Sequence, residues 1–276
     1  MFERRIQVEQ GARLTLVEVV SDVTLAAWEG DQVLVRLRNG TGEGLAIEQT
    51  EVGPAVSALE GCEVQVPAWM PVAVREVAGN LRATGLAVLN AEQVRGNLTI
   101  SEVDEVILAE VYGNLKADEI QSLRLVGTVY SNATLKGVRN CDLQNVRGNL
   151  RAKALDQCRM SRIGGNLQAK ECRGALSADR VGGNALLEGV IGALTLNQVA
   201  GNLVAKSLVG GARVSRIGGN LVLNSELGSG CTYHFRSDGN ATLRLPAGSN
   251  AYVTLRAEGK LVTSSALTIE EQDGGQ

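Results

Sequence analysis

Between residues 77 and 227, apolar and polar positions alternate in short runs. Each run is closed by Val, Ile or Leu and followed by a glycine turn. From residue 164 the runs read GGNLQAKEC, RGALSADRV, GGNALLEGV, IGALTLNQV, AGNLVAKSL, VGGARVSRI and GGNLVLNSE. Alternation over five or six residues predicts a strand, because side chains on extended backbone point to opposite faces in turn. A unit this short cannot bury a face alone, whereas stacked copies can. The pattern therefore predicts an all-β, single-chain β-solenoid (β-helix), with two half-repeats per coil and a sheet on each side.

The period fixes the coil. Gly-Asn recurs at Asn80, Asn97, Asn114, Asn149, Asn166, Asn184, Asn202, Asn220 and Asn240, with Ser131-Asn132 in the single gap. The spacing is 17 or 18 residues, rising to 20 at the last interval. Nine such intervals at about 4.8 Å predict a rod of about 43 Å for this stretch. The residue before each turn is β-branched: Val77, Val94, Val111, Val129, Val146, Ile163, Val181, Val199 and Ile217. The two inward positions that follow are Leu then Ala (Leu81/Ala83, Leu150/Ala152). The order inverts at Ala133/Leu135, Ala185/Leu187 and Ala241/Leu243, which conserves volume. Aromatic residues are only 3% of the chain, as an interior too narrow for rings requires. The stacked asparagines predict an amide ladder along the rod. Each preceding glycine reads as a turn residue with positive φ.

Both ends break the pattern. Residues 1–76 form an N-terminal β segment, as a cap or as first, longer coils. Residues 77–227 form the regular solenoid. Residues 228–276 hold an irregular turn and closing coils, with strand pattern returning through Leu267–Ile269. Modified ends favour capping over endless stacking, because open solenoid ends expose unpaired strand edges.

The motif order resembles that of the bacterial putative-adhesin β-solenoid family. RLTLVEVVSDVTLAAWEGDQVLVRL comes first with EVQVPAWMPVAVREVAGNLRA, then the repeated V-x-G-N-L-x-A, then DGNATLRLPAGSNAYVTLRAEGKL. The resemblance implies an adhesin-like surface or envelope protein and supplies no catalytic residues. The start, MFERRIQVEQ, has no apolar signal core, so on its own it predicts a cytoplasmic protein. No run is long enough for a membrane span.

Candidate chemistry is sparse. His234, the single histidine, is expected to pack in a capping loop. The outward acids Glu92, Asp118, Asp142, Asp179 and Glu188 are scattered, whereas a carbohydrate-active enzyme needs a matched pair. No catalytic residue, cofactor or metal site is expected. Five cysteines (Cys62, Cys141, Cys158, Cys172, Cys231) contain no CxxC. Cys141 and Cys158 should stack on adjacent coils as buried free thiols. Charge is uneven: net −6 over residues 1–76, +5 over 77–246 and −2 over 247–276. Lys136, Lys153 and Lys170 should form an outward stripe, with Lys116 and Arg151 nearby, able to engage a protein or anionic polymer. Nucleic acid is not expected, since no exposed aromatic residues interleave with the basic ones. These features favour a non-catalytic, adhesin-like scaffold. The alternatives are a self-assembling, bactofilin-like filament joined through the solenoid ends, and a carbohydrate-active β-helix enzyme.

Overall fold

Alternating apolar residues with β-branched closers build the coils because each strand buries one face against its counterpart and pairs with its copy above and below. The computed structural model describes residues 2–37, 41–246 and 251–263. Among these there is no helix, and the chain winds into a β-solenoid of about ten turns. The first strands are β1 (Phe2–Gln7), β2 (Leu14–Val19), β3 (Val23–Trp28), β4 (Gln32–Leu37), β5 (Leu45–Thr50), β6 (Gly53–Ala58), β7 (Cys62–Pro67), β8 (Val72–Val77) and β9 (Leu81–Thr84). They are followed by β10 (Val88–Val94), β11 (Leu98–Val111), β12 (Leu115–Val129) and β13 (Ala133–Val146).

The parallel register joins equivalent residues of successive coils. Leu98 sits opposite Leu115, Leu115 opposite Ala133, and Ala133 opposite Leu150. The swapped pair Ala133/Leu135 thus lies between two Leu/Ala pairs, and all six side chains are at most 4% exposed. The β-branched column from Val77 to Ile217 is buried throughout. One 18-residue interval has a visible cause. The register between β11 and β12 slips between Leu108/Glu110 and Leu125/Thr128, placing Val126 and Gly127 in a bulge.

Several expectations are corrected. The glycines before the asparagines do not have positive φ. They are needed because successive turns approach closely: a Cβ on Gly113 would lie 2.5 Å from the Gly96 carbonyl oxygen. Positive φ occurs instead at a second corner, five residues after each asparagine from Asn80 to Asn202. There Gly85, Glu102, Glu119, Gly137, Ala154, Glu171, Gly189 and Ser207 stack in one left-handed column. The core does accept rings where the coil lengthens to 20 residues: Tyr233 and Phe235 are 0% and 3% exposed. Tyr233 donates to the Val209 carbonyl (2.8 Å) and accepts from the Gly228 N–H (2.9 Å), so its hydroxyl is satisfied. Cys141 and Cys158 lie opposite each other with Cα atoms 4.5 Å apart, and they form a disulfide rather than two free thiols. Burial pushes the Cys172 thiol up to about 11.

The ends differ from each other. The chain does not stack in sequence order at its start. β6 and β7 pair beneath β2 and β3, while β8 and β9 pair above them. Antiparallel strands then close this end, β5 on β6, and β4 on β7 with β1 outermost. The outermost strand carries Glu3, Arg4 and Arg5, and charged edges deter further pairing. Glu3 accepts from Arg36 (2.9 Å) and Arg5 (3.1 Å), which holds its carboxyl below the usual range, chiefly through Arg36. At the other end, Tyr252–Ala257 and Leu261–Thr263 each pair on one side among the described residues. The strand pattern read at Leu267–Ile269 lies outside the described residues.

Candidate binding face

The outer face of one sheet is organised by the corner beside it. Asn97 donates from its backbone N–H (2.8 Å) and Nδ2 (3.0 Å) to Oδ1 of Asn80. Both bonds recur from Asn114 to Asn97, from Asn149 to Asn132, from Asn166 to Asn149 and from Asn220 to Asn202. Asn132 and Asn202 likewise donate to Asn114 and Asn184, and the Asn184 and Asn240 backbone N–H groups donate to Asn166 and Asn220. Where Ser131 replaces glycine, its Oγ donates to Asn114 Oδ1 at 2.8 Å. Sequence reading missed both termini of this column. Asp22 accepts from Asn80 N and Nδ2 (2.7 and 3.0 Å), and Lys260 N donates to Asn240 (2.8 Å). The signal was present as Ser21-Asp22 and Gly259-Lys260 in place of Gly-Asn, each followed by an alternating run.

Two outward columns flank the asparagines. In the farther one, Asp118, Lys136, Lys153, Lys170, Glu188 and Lys206 lie in register. The three expected lysines do stack, but they are not a bare cationic stripe. Lys136 pairs with Asp118 (3.2 Å), Lys153 with Glu171 (3.2 Å) and Lys170 with Glu188 (2.7 Å). Lys170 in turn holds the Glu188 carboxyl below its usual range. The nearer column runs Thr24, Arg82, Thr99, Lys116, Thr134, Arg151, so threonine and cation alternate strictly. Arg82, Lys116 and Arg151 are exposed and have no ion pair among the described residues. Beyond Arg151 the column turns to Gln168, Leu186, Val204 and Val222. A shallow groove of about 360 Å³ lies at its start, against Thr24, Asn80, Arg82, Asn97 and Thr99.

The other candidates are dispersed. His234 is exposed on the outer face of the Thr232–Ser237 strand, between Arg213 and Thr254, rather than packed in a loop. Asp142 sits between Arg124 and Arg159, and Asp179 accepts from Asn197 Nδ2 at 3.0 Å. Glu102 and Glu119 are equivalent positions on adjacent coils, a carboxylate pair outside the scattered acids read from the sequence. Both are exposed on a convex corner. Among the described residues, no group of three His, Cys, Asp or Glu could hold a metal, and no helix is long and apolar enough to cross a membrane.

One exposed aromatic, Tyr112, and the half-buried Tyr130 beside it do lie next to a basic residue, away from the lysine and arginine columns. The Tyr112 and Tyr130 rings stack with centroids 4.6 Å apart and 1° between planes, and Arg147 lies 4.3 Å from the Tyr130 centroid. A hydrogen bond to Glu110 is the main cause raising the Tyr130 hydroxyl's pKa. Both faces of Tyr130 are already covered, by Tyr112 and Arg147, so that ring offers no open platform to a base.

No family model matches this chain, and no curated protein matches it. Among solved structures, the chain is similar to the crystal structure of a putative cell adhesion protein from Clostridium sporogenes ATCC 15579. The identity is 10%, the coverage 95% of this chain and 97% of the other, and the TM-score 0.21, a likeness too slight to bear on this chain's fold or role.

Proposed function

We propose that this protein is a non-catalytic, adhesin-like scaffold that presents a linear binding face to an extended partner. The observation that carries this reading is the nearer outward column, in which exposed, unpaired Arg82, Lys116 and Arg151 recur along a straight row of paired strands. Parallel pairing holds such a row at one strand spacing per residue, so its geometry is set by the backbone rather than by mobile loops. A disulfide between adjacent coils supports residence in an oxidising compartment, at the surface or in the envelope, over the cytoplasm. Nucleic acid is outside the proposal, because the half-buried Tyr130 ring is closed on both faces and Tyr112 is stacked on it.

The test is capture on panels of immobilised proteins and polymers. The native protein is compared with an Arg82→Glu/Lys116→Glu/Arg151→Glu variant, and the bound polymers are sized afterwards. Capture that depends on the three cations, with the polymer intact, is the expected result. Shortened polymer would make the protein an enzyme, and capture indifferent to the substitution would remove this face from the function.

A second reading has its own observation. The last described strands leave Tyr252, Leu261 and Val262 exposed by 75%, 44% and 54%, apolar side chains suited to contact with another copy.

A further inference from the structure

We infer that the row Thr24, Arg82, Thr99, Lys116, Thr134 and Arg151 binds an extended acidic polysaccharide carrying one carboxylate per disaccharide. This inference rests on the binding-face reading and names the chemistry of its ligand. Cations occupy every second strand of the row, so they recur at two strand spacings, about 9.6 Å. One pyranose of an extended polymer advances about as far as one strand spacing. An alternating polymer of uronic acid and neutral sugar therefore presents a carboxylate to each cation and a neutral sugar to each threonine between. Thr99 and Thr134 offer hydroxyls at the neutral positions, where sugar hydroxyls need both donors and acceptors.

The neighbouring column shows why this row and not the lysine stripe is selected. Lys136, Lys153 and Lys170 are each occupied by a carboxylate of this chain, whereas Arg82, Lys116 and Arg151 are not. The one carboxylate in the groove at the start of the row, that of Asp22, accepts the Asn80 N–H and Nδ2. The six strands span about 24 Å, the reach of six sugars. The row then stops, since Gln168 and Leu186 follow Arg151. A folded protein partner would need an apolar centre to its contact, and none of these six side chains provides one.

Hyaluronan, with one uronate per disaccharide, is the probe, immobilised and washed at about 50 mM salt, where screening is weak. The native protein is expected to be retained. Arg82→Gln/Lys116→Gln/Arg151→Gln should weaken retention more than about tenfold, at about threefold per exposed cation. Lys136→Gln/Lys153→Gln/Lys170→Gln, which removes the same charge from the adjacent column, should stay within about twofold. Thermal melts confirm that both variants are folded. Hyaluronan hexasaccharides should compete and disaccharides should not. Polygalacturonate, charged on every sugar, should compete no better than hyaluronan. Equal losses in the two variants, or stronger competition by polygalacturonate, would reduce the effect to bulk charge and overturn the inference. If hyaluronan is not retained while other partners are still captured through Arg82, Lys116 and Arg151, the ligand class fails and the binding-face reading stands. If nothing is captured through them, both fail.

Discussion

At the scale of single residues, backbone constraints are divided between two corners. At the asparagine corner glycine is required by distance, since a Cβ on Gly113 would meet the carbonyl of the coil before it at 2.5 Å. Gly113→Ala should cost about 1–3 kcal/mol through this overpacking, read from chemical denaturation. At the other corner the requirement is conformational, and most residues meet it at a cost. Ala154 has φ of 55°, where a side chain costs about 1–2 kcal/mol. Glycine would relieve that, while adding about 0.4–1 kcal/mol of unfolded-state entropy to be lost. Ala154→Gly should therefore raise stability by about 0.5 kcal/mol, and a lower unfolding midpoint would refute this account of the corner. The sequence made the first corner conspicuous, because glycine recurs there. It hid the second, because Gly, Glu, Ala and Ser share one backbone conformation there without sharing chemistry.

At the scale of strands, outward columns are legible as lists but not as charges. The register of Lys136, Lys153 and Lys170 follows from the repeat, and the structure places all three in one column. Their neutralisation was not legible. Glu171 follows Lys170 at the left-handed position within the strand Leu167–Cys172, outside the lysine column, while Asp118 and Glu188 close the two ends of the lysine run. The same repeat put Cys141 opposite Cys158, and contact at 4.5 Å between Cα atoms permits the bridge. Closing a loop of 17 residues stabilises by about 3 kcal/mol in the chain-entropy view. Unreduced, denatured protein should thus titrate two thiols fewer than reduced protein. Reduction should lower the unfolding midpoint by an amount corresponding to that energy. Equal thiol counts before and after reduction would return the pair to free cysteines.

At the scale of the whole molecule, the two ends are physically unlike. The start is closed by antiparallel strands with a charged outer edge. The described residues at the far end leave one side of Tyr252–Ala257 and of Leu261–Thr263 unpaired. Association through that end joins like ends and stops at two copies, whereas a filament needs both. Sedimentation should show a dimer that grows with concentration and is abolished by Val262→Lys, since an edge lysine blocks strand pairing. Long polymers would contradict the capped start, and a monomer at every concentration would contradict association through the far end.

Period, fold class, core columns and the pairing of copies were determined by the sequence alone. A two-residue alternation inside a 17- or 18-residue repeat admits one economical burial scheme, and stacking makes the local pattern global. Tertiary structure alone decided which outward charges are spent and which are open, how the first two coils are interleaved, and why the glycines are glycine. These depend on residues of neighbouring coils meeting across space at corners and ends. There the repeat is broken by a bulge or an insertion, and a one-dimensional period no longer states what touches what.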